Sequence, residues 1–164
     1  MRDEPLREIL GSVEPLEDSV YGPRYRCSAR LKDGTALPCV VLQSKDRLVG
    51  LARRRFSDLA DDHGLDSVVA SFVAGGNRVN DYDIESATIS RFAIPLSLLR
   101  QIHGETSMAW TGWVFEMNDG NLYSYGSTFL MEFFHLPDGY NFSDVRRVHN
   151  HSYVDAEGAI ASYW

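Results

Sequence analysis

Two histidines, separated by one residue, form the only spacing in this chain that suits a metal ion: His149-Asn150-His151. Residues two apart in an extended strand share a face, so both imidazoles can reach one ion. With Glu132 as a further ligand or base, one divalent metal ion held there would serve a metal-dependent hydrolase or lyase. We favour the alternative, in which the histidines are packed or exposed side chains that bind nothing, and we expect no cofactor.

Glu132 interrupts an otherwise apolar run of residues, 129–134, which is typical of a strand buried on both faces. Burying a carboxylate is costly unless the group is paired or protonated. A buried carboxyl of this kind would suit a general acid or base. The favoured alternative is a structural ion pair between Glu132 and an arginine on an adjacent strand.

Positive charge is concentrated in residues 24–55, which hold nine Lys and Arg residues against two acids. That segment carries a net +7, while the remaining residues carry −14. Arg24, Arg26 and Arg30 alternate along one face of a predicted strand, and Arg54 lies on a predicted helix. Together they predict a patch able to hold phosphates or carboxylates. The alternative is that these are solvated faces paired with the chain's own acids.

Several function classes find no support in the sequence. There is no GxSxG nucleophile motif and no glycine-rich phosphate loop. Cys27 and Cys39 are too few for a disulfide framework and too far apart for a CxxC motif. A pI near 5.1 disfavours nucleic-acid binding. With no signal-peptide pattern and no long apolar run, we expect a cytoplasmic protein that does not enter a membrane.

Two Asp-Gly dipeptides, at Gly34 and Gly120, predict β-hairpins. In the first, a two-residue turn would place Cys27 and Cys39 on opposite faces, whereas a three-residue loop with a glycine bulge would place them opposite each other. In the second, the three-residue loop pairs aromatic residues across the strands, which is favourable. We therefore expect the three-residue loop in both hairpins.

That register also places Gly112 opposite Gly126 within a wall of aromatic side chains. The gap left by two glycines would admit a ligand or a partner side chain. More often, facing glycines let a neighbouring ring pack over bare backbone, and we expect that arrangement here.

The remaining periodicities predict an α+β protein. Helical spacing follows the first hairpin from residue 46, a second short helix is expected over 66–73, and a third begins at Pro95. Strands are expected at 84–94, 111–117, 122–135 and 146–154. We expect residues 1–20 to form an N-terminal arm. Residues 21–164 are then a single α+β domain with a largely antiparallel sheet built from the two hairpins and two or three short helices.

The function that these patterns favour is non-catalytic binding of a macromolecular partner, expected to be a protein, through a charge-segregated surface. In size, acidity and lack of motifs the chain is similar in character to bacterial toxin-neutralising immunity proteins. The sequence leaves open the identity of the partner, the oligomeric state, and whether the aromatic hairpin is core or interface.

Overall fold

The computed structural model describes residues 8–17, 19, 22–55, 83–108, 110–127 and 132–163. The chain divides into two compact units, Met1–Arg91 and Phe92–Trp164. The first contains β1 (Arg24–Leu31), β2 (Ala36–Gln43), α1 (Lys45–Arg55) and β3 (Ile84–Ile89). The second contains α2 (Leu96–Leu99), β4 (Thr111–Met117), β5 (Leu122–Ser127), a 3₁₀ turn (Phe142–Asp144), β6 (Val145–Asn150), β7 (Ser152–Val154) and β8 (Ile160–Ser162).

In the first unit, β1 is the central strand of an antiparallel sheet with the order β2-β1-β3. Its apolar face carries Cys27, which is fully buried against Ala87, Leu10 and Val13. Leu10 and Val13 belong to the predicted N-terminal arm, so part of the arm packs into this core. The domain boundaries at residues 20 and 21 stay a prediction.

In the second unit, β4 is the central strand of an antiparallel sheet with the order β5-β4-β6, beside the β7–β8 hairpin. Because side chains alternate along a strand, Trp113, Phe115 and Met117 share one face of β4. All three are fully buried and pack against Ile94 and Leu136. These rings of the aromatic hairpin are therefore core.

The second hairpin has the expected register. Trp113 lies opposite Tyr125, and Phe115 lies opposite Tyr123, across a three-residue loop that ends at Gly120. Gly120 has a φ of +90°, a left-handed conformation that a side chain disfavours. The prediction of a bulged turn with paired aromatic residues is confirmed.

The first hairpin also has a three-residue loop. Leu31 N–H donates to Thr35 O at 2.9 Å, and Gly34 adopts a φ of +89°. The loop prediction is confirmed, but its expected consequence for the cysteines is wrong. Cys27 lies opposite Val40, because the register of the two strands shifts between Cys27 and Ala29.

Pro38 explains this shift. It has no N–H to give to the ladder, and it stands on an edge strand, where proline is tolerated at a bulge. Its carbonyl instead accepts hydrogen bonds from the hydroxyls of Ser28 at 2.8 Å and Ser90 at 2.7 Å. The extra residue leaves Cys39 exposed and out of line with the buried Cys27.

The largely antiparallel sheet is confirmed, but the described residues form a β-rich protein rather than a clear α+β protein. The helices there are α1, the single turn α2 and the 3₁₀ turn, with single partial turns at residues 8–9 and at residue 83. The helix expected over 66–73 lies outside the described residues. None of the helices within the described ranges has the length and apolar content needed to cross a bilayer.

The strand expected over 122–135 is wrong over residues 132–135, whereas residues 128–131 lie outside the described residues and β5 ends at Ser127. Beyond it, Phe133 forms only an isolated bridge with Ala93. Glu132 thus lies in irregular chain rather than within a described strand.

Candidate functional site

His149 is held by a carboxylate on the neighbouring strand. It lies opposite Val114 in the β4–β6 register, diagonal to Glu116. The Nε2–H of His149 donates to Oε2 of Glu116 at 2.8 Å, and Nη1 of Arg146 lies 3.5 Å from Oε1. The hydrogen bond from His149, followed by the charge of Arg146, lowers the pKa of Glu116. Glu116 was not among the predicted site residues, since it meets His149 only through strand pairing.

His151 does not extend the face that His149 occupies. It follows the end of β6 with a φ of +54°, so the alternation of a strand does not continue through it. Its N–H donates to Gly112 O at 2.9 Å, and its imidazole packs against Gly104. The two predicted metal ligands therefore have different neighbours.

Between the two histidines, Asn150 clamps the loop that follows α2. Its Oδ1 accepts the N–H of His103 at 3.0 Å, and its Nδ2 donates to Gln101 O at 2.7 Å. Nδ1 of His103 lies 3.0 Å from the same Gln101 carbonyl. Sequence reasoning missed His103, because only the fold brings it to the end of β6.

Glu132 is buried, with 5% of its surface exposed, which agrees with the expectation of a buried carboxylate. Its carbonyl accepts the N–H of Ile94 at 2.9 Å. The adjoining Phe134 packs on Phe115, so this segment covers the core face of β4. His149 projects from the other face of the same sheet. Glu132 therefore belongs to the face of the sheet opposite His149.

No group of three or more His, Cys, Asp or Glu side chains in the described ranges is arranged to hold a metal ion. The assignment of a divalent ion to His149 and His151, with Glu132 as base, stays a prediction.

The arginines predicted to form a basic face on β1 differ in how far they are buried. Arg26 is 4% exposed, Arg24 is half-buried and Arg30 is exposed. Nε of Arg30 lies 3.8 Å from Oε2 of Glu85, with both side chains more than half exposed. Among the predicted binding residues on this strand, Arg30 is the one with an exposed side chain.

Exposed positive charge continues onto α1, where Arg47, Arg53 and Arg54 all face solvent. The side chain of Arg47 lies over Gly22, so closely that a Cβ at Gly22 would be 2.7 Å from its Cζ. We define the basic set as those Lys and Arg residues of the segment 24–55 whose side chains are described by the structure and are exposed. Its members are Arg30, Lys32, Arg47, Arg53 and Arg54.

The gap between Gly112 and Gly126 is filled by a side chain of the protein itself. The two glycines face each other, and the ring of Trp110 covers both. A Cβ at Gly112 would lie 2.5 Å from Cζ3 of Trp110, and one at Gly126 would lie closer still. Tyr163 meets the same ring edge-on, with centroids 4.8 Å apart. The packing interpretation is confirmed.

Comparison with protein-family models, curated proteins and solved structures gave no significant match.

Proposed function

We propose that the protein is a non-catalytic binding protein that engages an acidic surface of a protein partner through the basic set. The observation that carries the proposal is the exposure of five cations from one segment of an otherwise acidic chain. The Arg30–Glu85 pair supports it, because a 3.8 Å contact between two exposed side chains contributes little and is readily exchanged for a partner carboxylate.

A protein partner fits this charge distribution better than a nucleic acid does. The chain has a net charge of −7, so long polyanions are repelled by most of it. A partner with a local acidic patch is attracted to the basic set and is oriented by the same field. Within this class we favour a cytoplasmic, toxin-neutralising protein, which acts by covering its target rather than by chemistry.

Matched charge reversals test the proposal. Wild type, Arg53→Glu/Arg54→Glu and Arg100→Glu/Arg147→Glu would each serve as bait in cell extract. The two variants change the net charge equally, at exposed sites in different units. Any captured protein would then be purified, and its Kd measured by calorimetry at low and high salt. We expect the first variant to bind at least about 10-fold more weakly and the second to bind like wild type.

Two results would contradict the proposal. One is a partner that binds Arg53→Glu/Arg54→Glu as tightly as wild type. The other is a wild-type Kd that does not change with salt, since screening weakens every interaction between exposed charges.

The alternative proposal is a metal-dependent hydrolase or lyase that uses His149 and His151 with a nearby carboxylate. The contact between His149 and Glu116 favours it, since metal-binding or basic histidines commonly donate their second N–H to a carboxylate. Elemental mass spectrometry of protein purified without chelator tests this alternative. About one zinc, manganese or iron ion per chain would support it, whereas metal-free protein with no hydrolytic activity after addition of these ions would reject it.

A further inference from the structure

We propose that the outer edge of β8 pairs with the same strand of a second copy of this chain, so that two copies form a symmetric dimer. The two strands would run antiparallel, and the symmetry axis would pass beside Ala161. The proposal concerns the second unit alone and does not depend on the basic set.

The inner edge of β8 is paired with β7. Tyr163 N–H donates to His151 O at 3.1 Å, so the odd-numbered residues of this strand bond to β7. In an antiparallel pair, such residues alternate with residues whose N–H and C=O groups point to the other side. The N–H and C=O groups of Ile160 and Ser162 therefore point away from β7.

The outer edge of β8 lies at the surface. Ile160 is 37% exposed, and Ser162 is exposed as well. Within the described part of the chain, no hydrogen bond is made to the outward N–H and C=O groups of these two residues. The outer side of β7 is occupied, because Val154 N–H donates to Oγ of Ser124 on β5. Of the two strands in this hairpin, β8 is therefore the one that an added strand can reach.

Three other edge strands carry features that oppose pairing between copies. Charged side chains, proline and bulges protect natural sheet edges in this way. β2 has Pro38 at a bulge, β3 has the exposed Glu85, and β6 has the adjacent exposed residues Arg146 and Arg147. Residues 159–163 read Ala-Ile-Ala-Ser-Tyr, without charge or proline, and β8 pairs with β7 in unbroken register. This edge therefore lacks the usual protection.

The outer edge of β8 is also complementary to itself. Antiparallel pairing about Ala161 places Ile160 opposite Ser162 of the second copy, and these two residues exchange both of their backbone hydrogen bonds. The same pair recurs on the other side of the axis, as symmetry requires. Ala161 then lies opposite its own counterpart in a pair without hydrogen bonds, where strands approach most closely. A methyl side chain fits that position.

Side chains on both faces of β8 would add to the interface. Ile160 lies diagonal to its counterpart, and side chains in diagonal positions can reach each other across a strand pair. On the opposite face, Tyr163 is 39% exposed, and its ring is held edge-on to Trp110. That ring would extend diagonally over Ala161 of the second copy. Because the strand is short, the interface is small, and we expect a dimer that dissociates on dilution.

Sedimentation velocity of the full-length protein over a range of concentrations tests the proposal. Salt of about 0.15 M would screen the repulsion between two chains of net charge −7. We expect wild type to pass from monomer to dimer as its concentration rises. Ile160→Lys brings like charges together across the axis and should weaken association at least about 10-fold. Ile89→Lys changes the net charge equally at a residue that is 61% exposed on β3, and it should associate like wild type.

Cysteine cross-linking tests the register, in a Cys39→Ser background that removes the exposed native thiol. Ala161→Cys would place two cysteines opposite each other, with Cα atoms about 4.5 Å apart, which a disulfide can span. Ser162→Cys is more exposed, but its counterpart would be displaced along the strand and out of reach. We expect mild oxidation to link Ala161→Cys faster, whereas random collisions would link Ser162→Cys faster.

Near-UV circular dichroism would show that each variant keeps the packing of Trp110. If Ile160→Lys does not, Ser162→Lys replaces it, because residue 162 lies on the same face of β8 and is exposed. Wild type that stays monomeric up to about 1 mM would overturn the proposal. So would a dimer that is unchanged by the lysine variant, or faster cross-linking of Ser162→Cys than of Ala161→Cys.

Discussion

Cys27 is fully buried in the core of the first unit, and burial raises the pKa of its thiol to about 11. Cys39 is exposed at the Pro38 bulge. Because the thiolate is the reactive form, a buried thiol with a raised pKa reacts slowly at neutral pH. The two cysteines should therefore behave differently although both are reduced.

We expect a chromogenic disulfide reagent to modify one thiol per native chain rapidly at neutral pH, and two after unfolding. The Cys39→Ser variant should lose the rapid phase, whereas Cys27→Ala should keep it. Two equally rapid thiols in the native protein would contradict the placement of Cys27 in the core.

The glycines opposite Trp110 give a second prediction at the scale of the residue. In Gly126→Ala the new methyl group would overlap the indole, so Trp110 must move or the strands must separate. Overpacking of this kind costs about 1–3 kcal/mol of unfolding free energy. Urea denaturation followed by circular dichroism would measure it.

Gly50 provides the matched control, because it lies within α1 and a Cβ there would meet only ordinary contacts, at 3.8 Å from Nη1 of Arg54. Alanine favours a helix over glycine by about 0.5–1 kcal/mol, so Gly50→Ala should stabilise the protein. If Gly126→Ala is as stable as wild type or more stable, Trp110 does not pack over Gly126.

At the scale of the element, Glu116 on the central strand β4 joins that strand to β6 through its side chain. Glu116 lies opposite Arg147 in the β4–β6 register. Its carboxylate accepts a hydrogen bond from His149 and lies close to Arg146. The pKa of Glu116 is lowered in the folded state. A carboxyl with a lowered pKa contributes stability above its unfolded pKa and loses that contribution as the pH falls through the folded value.

We therefore expect Glu116→Gln to destabilise the protein near neutral pH. The difference from wild type should shrink as the pH falls below about 4.3, the ordinary pKa of glutamate. Urea denaturation of both proteins across that range is the measurement. Glu85→Gln serves as the control, because among the described residues its carboxylate makes only the loose contact with Arg30. A difference that does not depend on pH would show that Glu116 stabilises β6 by packing alone.

How far the sequence predicts these elements depends on how local their causes are. Both Asp-Gly loops and the paired aromatic residues follow from residues close together in the chain, and both were predicted. A third loop of the same kind joins β7 to β8, with Gly158 at a φ of +79° and Gly158 N–H bonded to Asp155 O. It was missed because Glu157 precedes its glycine, so the Asp-Gly signal is absent.

The contacts that define the candidate sites are not local. His149 reaches Glu116, and Asn150 reaches Gln101 and His103, only after β6 has paired with β4. Residues two apart were expected to share a face at 149–151, but β6 ends at Asn150, and the positive φ of His151 breaks the alternation. Spacing along the sequence could therefore not predict the observed neighbours of the two histidines, Glu116 for His149 and Gly104 for His151.

At the scale of the whole molecule, the separation of charge is read directly from the sequence, since it needs no contacts. Its meaning depends on exposure, which the sequence predicted only in part. Alternation placed Arg26 on the basic face of β1, yet Arg26 is buried, so a partner cannot contact its side chain directly. The exposed charge lies instead at Arg30 and Lys32 and on α1.

This distribution makes a kinetic prediction for the proposed binding to an acidic protein partner. Long-range attraction acts on the encounter, so salt should reduce the association rate much more than it raises the dissociation rate. Between about 0.01 M and 1 M salt the Debye length falls from about 30 Å to about 3 Å, and we expect the association rate to fall at least about 10-fold.

Stopped-flow mixing would measure both rates. In Arg53→Glu/Arg54→Glu the salt dependence should be much weaker, whereas in Arg100→Glu/Arg147→Glu it should match wild type. A dissociation rate that carried most of the salt effect would place the important charges within the contact and not in the field that precedes it.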